Sequence, residues 1–179
     1  MLSRRRIPAA AALMGLLSAC APTLGPPPPG PMAPPRNEAQ FRAADFAWSQ
    51  APGRNALVGH LAYRMGETRY TCAGAVVIVT PETPWSRVRM QVLYKSDVRS
   101  ALPADEVRAR NPQAPPGDSG PYIKRASCDA GDRFSVAGLP DGAWYVVTIA
   151  KPVPGASGPS IALMRRVVTR GGRATAFEL

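Results

Sequence analysis

Residues 132–147 read Asp132-Arg133-Phe134-Ser135-Val136-Ala137-Gly138-Leu139-Pro140-Asp141-Gly142-Ala143-Trp144-Tyr145-Val146-Val147. Apolar and polar side chains alternate from Arg133 to Ala137, the period of a strand with one buried face. Leu139-Pro140-Asp141-Gly142 is a reversal: Pro presets its own φ, Asp bonds to nearby backbone, and Gly accepts conformations closed to other residues. Ala143 to Ala150 (AWYVVTIA) then supplies aromatic and β-branched residues in an unbroken apolar run, the signature of a buried strand. Two strands joined by a tight turn are therefore expected, and a β protein around them.

The same pattern continues outward on both sides. Upstream, Ala56 to Tyr63, Arg69 to Cys72 and Ala75 to Thr80 read as strands, with Gly74 breaking the last two apart. Downstream, Ser160 to Thr169 is another strand, and Gly171-Gly172 turns it into Ala174 to Leu179. Short strands separated by turn signals predict an all-β sandwich over residues 41–179. The middle differs. In Trp85 to Ser96 (WSRVRMQVLYKS), Val88, Val92 and Lys95 fit helical spacing, while Val88, Met90, Val92 and Tyr94 fit a strand. Pro81, Thr83 and Pro84 form a helix start, so a helix is expected there. Residues 97–120 are polar and carry four Pro, so a long loop completes an insertion spanning about 85–120. Asn37 to Gln40 has the form of a helix start, with Phe41, Ala44 and Trp48 sharing one face.

The residues 132–149 resemble carboxypeptidase regulatory-like domains. That family repeats a glycine or acid, then Phe-x-Φ-x-x-Leu-Pro-x-Gly-x-Tyr-x-Φ, where Φ is apolar. The resemblance implies a transthyretin-like (prealbumin-like) antiparallel sandwich of seven strands. It also implies an accessory, adhesive or binding module with no catalytic residues and no metal of its own.

The chain has 179 residues, with 22 Lys+Arg against 12 Asp+Glu, one His and three Cys. This is the length of one ordinary domain with appendages. Arg4, Arg5 and Arg6 precede an uncharged run from Ile7 to Leu17 that is too short to span a bilayer. That is the form of a secretory signal over residues 1–19. Leu17-Ser18-Ala19-Cys20 resembles the bacterial lipobox. The resemblance implies cleavage before Cys20, diacylglycerol on its thiol and palmitate-type acylation of its amine. Ala21, where an Asp would retain such proteins in the inner membrane, implies an outer-membrane lipoprotein facing the periplasm. Residues 21–40 hold eight Pro and read as a semi-stiff spacer.

Removing residues 1–19 takes away Arg4, Arg5 and Arg6 and no acid, leaving 19 basic and 12 acidic residues, a net of +7. Anionic lipids, lipopolysaccharide or peptidoglycan acids are in reach of such a chain. The Lys and Arg are scattered along the sequence, and solubility is the simpler use of the charge. Nucleic acid is excluded as a partner by the compartment. With Cys20 lipidated, Cys72 and Cys128 remain as a pair in an oxidising compartment. A bridge between them would stabilise the fold by roughly 3–4 kcal/mol.

Gly117-Asp118-Ser119-Gly120-Pro121, with His60 and Asp97 upstream, resembles the nucleophile box of chymotrypsin-like proteases and the order of that family's triad. Pro121 departs from the box, and His60 sits in a strand pattern. A short motif outside its structural context carries little weight. No His/Asp/Glu cluster has metal-ligand spacing and no cofactor is implied. Trp85, Tyr94 and Tyr122 flank the polar stretch; they either offer an aromatic binding surface or cover the core. Two functions fit. One is a lipid-anchored, non-catalytic module binding a protein, glycan or wall polymer. The other is a structural accessory subunit of an envelope complex; a hydrolase is a distant third.

Overall fold

The computed structural model describes residues 37–179, and these build a two-sheet β-sandwich. The strands are β1 (Asn55–His60), β2 (Arg64–Met65), β3 (Thr68–Thr71), β4 (Val76–Pro81), β5 (Arg99–Pro103), β6 (Lys124–Ser127), β7 (Arg133–Leu139), β8 (Gly142–Pro152), β9 (Ile161–Thr169) and β10 (Ala174–Glu178). Helix α1 (Pro84–Tyr94) and the short α2 (Ala104–Ala109) lie between β4 and β6. The smaller sheet has the order β10-β1-β7. In the larger sheet β8 is the shared strand. It pairs with β9 along Gly142–Ala150, with β4 along Trp144–Val147 and with β3 at Lys151–Pro152. β5 extends this sheet beyond β9, and β6 extends it beyond β4.

The turn falls between β7 and β8 as expected, but the two strands do not pair: β7 belongs to the smaller sheet and β8 to the larger, so the turn carries the chain from one sheet to the other and marks one end of the sandwich. Pro140 and Asp141 lie at one end, with the starts of β1 and β10 and the ends of β4 and β9. The other end carries Asp132, the disulfide and the turn after β8. Inward-facing side chains of both sheets interdigitate into one core of Leu57, Tyr70, Val77, Val79, Phe134, Val136, Leu139, Trp144, Val146 and Leu163. Each large side chain removed from water in this way contributes roughly 1.5–3 kcal/mol. Close packing explains the motif glycine: a Cβ on Gly142 would fall 2.1 Å from the Trp48 ring, which stacks edge-on against Trp144 at 4.9 Å.

Three expectations are corrected. The sandwich is not wholly antiparallel, because β10 runs parallel to β1. The Gly171-Gly172 turn carries the chain from the larger sheet to the smaller, where it lies alongside the first strand. The described residues hold ten strands rather than seven. Residues 97–120 are not a long loop; they hold β5, α2 and two turns of 3-10 helix. β5 has its alternation cut short by Pro103, but the open edge of β9 supplies it with a partner over five residues.

The expected helix is α1. Thr83 and Ser86 cap it reciprocally, at 3.1 and 2.8 Å, and Pro84 occupies its first turn. Met90, Leu93 and Tyr94 lie over Tyr145, Ala162 and Met164, so α1 covers part of the outer face of the larger sheet. At the N-terminus, Asn37 caps a turn through Ala39 N–H at 3.1 Å instead of starting a helix. The helix that follows is a 3-10 segment, Ala43–Gln50, that buries Phe46.

Candidate binding cleft beside the disulfide

Cys72 closes β3 and Cys128 follows β6, and the two are joined by a disulfide with Cα atoms 5.7 Å apart. The chain between Cys72 and Ala75 reverses in a tight turn, with Ala75 N–H donating to the Cys72 carbonyl at 2.7 Å. Gly74 sits in that turn at φ +75, a conformation that glycine adopts without steric cost. Gly74 N–H and Cys128 N–H bind across to the Cys128 and Ala75 carbonyls, both at 2.9 Å. The turn is thus fixed by one covalent bond and by hydrogen bonds on both sides.

Behind it lies Asp132, a buried carboxylate. Its backbone is left-handed, at φ +62. Its Oδ1 accepts from the Thr71 hydroxyl at 2.5 Å and from Cys72 N–H at 2.8 Å, and its Oδ2 accepts from Arg69 at 3.2 Å. Burial by itself raises the pKa of this group. The Thr71 hydroxyl, the Cys72 amide and Arg69 outweigh it and hold the carboxyl below the usual aspartate value. Asp132 is therefore an ionised structural hub that ties β3 to the head of β7. Both of its oxygens are occupied from within the chain.

An open cleft of about 790 Å³ lies over this hub. The 72–75 turn, the end of β3, the end of β8 and the segment that follows it form its walls. Ile149, Pro152 and Val153 give an apolar floor, and Arg69 and Lys151 stand exposed in the lining. Thr71 and Lys151 are cross-strand partners, which places the two sides of the cleft in fixed register. No aromatic ring lines it. The sulfurs of Cys72 and Cys128 lie with an Asp132 oxygen within 4.8 Å of one another, but each sulfur is bonded to the other and has no thiolate to offer a metal.

The aromatic surface proposed from the sequence is not there. Trp85 and Tyr94 are buried and Tyr122 is half-buried. Phe41 and Phe46 of the N-terminal segment pack on Trp85 at 5.2 and 5.9 Å, and Phe46 stacks on Tyr122 at 4.8 Å. The Trp85 indole N–H donates to the Pro116 carbonyl at 3.0 Å. Burial pushes the Tyr94 hydroxyl up to about 12. These three residues clamp the helix and the 115–122 segment to the sandwich. His60, Asp97 and Ser119 make no side-chain hydrogen bond with one another: His60 is on β1 of the smaller sheet, Asp97 follows α1, and Ser119 precedes a 3-10 turn. Cys20 lies outside the described residues, as does the signal over 1–19 and most of the Pro-rich spacer. Asp132 was missed as a hub. Its signal was an acid heading the strand of the motif, four residues after a cysteine.

No protein-family model matches the chain, and no curated protein matches it. Among solved structures, the chain is similar to a Pseudomonas aeruginosa protein described as a "putative carbohydrate binding protein". The likeness has a TM-score of 0.54 at 18% identity, over 78% of this chain and 96% of the other. At that identity it is the β-sandwich fold that is shared.

Proposed function

We propose that the protein is a lipid-anchored envelope module of transthyretin-like fold. It is non-catalytic and binds an acidic glycan or wall polymer in the cleft beside the disulfide. The observation that carries this reading is the cleft itself: open, built on a cross-linked frame, with an apolar floor and two exposed cations. A neutral sugar ring is gripped chiefly by stacking on aromatic faces, and this cleft has none. Carboxylates on a polymer would instead meet the guanidinium of Arg69 and the ammonium of Lys151. Asp132 adds no repulsion of its own beyond what Arg69 offsets, since its oxygens are spent inside. The binding role stated for the structural neighbour, and the position of Cys20 after a signal-like segment, both favour this reading.

The test is co-sedimentation of the mature, unlipidated chain with purified peptidoglycan, whose peptide stems carry carboxylates, and with a neutral polysaccharide. Retention on the acidic polymer is expected. Lys151→Glu should weaken it at least severalfold without lowering thermal stability. Equal retention of Lys151→Glu, or equal retention on both polymers, would remove the cleft as the site. Crosslinking in cells that captures one protein in fixed stoichiometry would instead favour the accessory-subunit reading.

A further inference from the structure

The opposite end of the sandwich gathers cations that lie far apart in sequence. Arg54 precedes β1, while Arg170 and Arg173 flank the Gly171-Gly172 turn between β9 and β10. The pairing of Ala56 with Ala174 brings the two segments together, and Ala56 N–H donates to the Arg173 carbonyl at 3.1 Å. The Arg54 side chain lies against Gly172 and the Arg173 guanidinium against Gly171. Both glycines are left-handed, at φ +70 and +67, and carry no side chain that would cover the guanidinium groups. All three arginines are exposed. Among the described residues none of them forms a salt bridge. The one carboxylate in this pocket, Asp141, has its Oδ1 taken by Asn55 at 2.9 Å and by Gly171 N–H at 3.1 Å.

The chain also enters the domain at this end. β4 runs toward it, finishing at Pro81 opposite Trp144, and α1 begins directly afterwards. The first described residues lie over that start, with the Phe41 ring 5.2 Å from Trp85. Trp48 then packs on Gly142, in the turn that defines this end. From Cys20 only sixteen residues, 21–36, separate the proposed lipid from this point. At about 3.1 Å per residue when extended, that tether reaches roughly 50 Å at most. A tether of this length confers an effective concentration in the millimolar range, so even weak surface contacts are populated.

We infer that the end carrying Arg54, Arg170 and Arg173 docks on the anionic phosphates of the bilayer to which the chain is tethered. The disulfide end, with its cleft, then faces away from the membrane. Guanidinium groups suit phosphate oxygens through paired N–H donors, and each cation near an anionic surface adds about a fivefold gain in partition. The orientation rests on the lipid anchor of the proposed function, and the docking surface itself can be tested with or without it.

Two forms of the mature chain separate the ideas: the native product and the Cys20→Ser form without lipid. Intact mass of the native product reports the lipid directly. Each form is mixed with vesicles of phosphatidylcholine, or with vesicles containing one-third phosphatidylglycerol, and followed by amide hydrogen exchange. Slowed exchange is expected at 53–56 and 170–174 on the anionic vesicles, with the 72–75 turn unchanged. High salt should abolish the protection. So should the triple variant R54E/R170E/R173E, whose folding is checked by an unchanged Tm. Absence of protection in both forms would overturn the inference, as would protection on both vesicle types or its survival in the triple variant. Equal protection by inorganic phosphate or by soluble peptidoglycan fragments would likewise overturn it, by reassigning the arginines to a free anion. If the native product carries no lipid, the anchor fails, while the Cys20→Ser form still decides the docking surface.

Discussion

The two ends of the sandwich are both held by a buried polar residue, but by different physics. At the disulfide end the hub is ionised: Asp132 takes bonds from Thr71, Cys72 N–H and Arg69, next to a covalent cross-link. At the Pro140 end the hub is the neutral amide of Asn55. It donates to the Leu139 carbonyl and to Asp141, both at 2.9 Å, and accepts from Arg173 N–H at 3.1 Å. Trp144 and Thr169 add a second neutral link there, at 3.0 Å. A charge shielded from water demands several donors in exact places, so the first end is rigid and its cleft preformed. The second end satisfies its backbone mainly with the Asn55 amide and the Thr169 hydroxyl, with the Asp141 carboxylate on Gly171 N–H, and leaves its arginines free to face outward.

The largest separation between the ends should come from the cross-link. Cys72→Ala/Cys128→Ala removes a constraint over 56 positions of chain and should cost roughly 3–4 kcal/mol. Denaturant unfolding measures it, and hydrogen exchange should show the loss concentrated at 69–76 and 126–133. A loss spread evenly over both ends would mean that the cross-link does not act on the cleft frame in particular.

Next comes the hub itself. Asp132→Asn keeps a residue that tolerates φ above zero but weakens three charge-assisted bonds, for an expected cost of about 2–3 kcal/mol at neutral pH. The folded-state pKa of Asp132 lies below that of the unfolded chain. Its stabilisation is therefore complete above the ordinary aspartate pKa, about 4, and is lost as pH falls through the lower folded value. Urea titrations across this range should show the wild type losing an increment that Asp132→Asn never had. Parallel curves for the two proteins would show that the carboxylate is not held ionised by its partners. Asn55→Ala, at the neutral end, should cost less, about 1–2 kcal/mol, and should leave the acid limb of the stability curve unchanged.

How much of this was legible in the sequence follows from the range of the interactions. The strands β7 and β8 with the turn between them, α1 and the strand of the Val/Ile run are written in local patterns: alternation, a Leu-Pro-Asp-Gly reversal, a Thr-Pro start; that β7 and β8 enter different sheets is not. The disulfide was legible through the count of cysteines, once Cys20 is set aside. β5 was not, because its pairing partner lies some sixty residues away and its own alternation is cut short by a proline. Trp85, Tyr94 and Tyr122 looked like surface because they flank a polar stretch, but Phe41 and Phe46 from the other side of the chain pack on Trp85 and Tyr122, and Tyr94 is buried against the outer face of the larger sheet. The cleft and the arginine end were hidden for the same reason. Arg69 meets Lys151, and Arg54 meets Arg173, only after two sheets have formed.

The smallest effect tests the frame of the cleft most cleanly. A Cβ added at Gly74 would meet nothing within 4 Å, so the space for an alanine is open. The backbone there is at φ +75, where an L-residue crowds its own carbonyl. Gly74→Ala should therefore cost only that conformational strain, about 1 kcal/mol, with the disulfide and Asp132 contacts intact. If the turn is as fixed as its four-residue reversal and its bonds to Cys128 imply, the strain stays stored. Stability then falls by that amount while binding to an acidic polymer changes little. If binding falls severalfold with no loss of stability, the turn has relaxed to relieve the strain. The cleft wall would then be a deformable loop, and the contrast between a preformed end and a merely satisfied one would be lost.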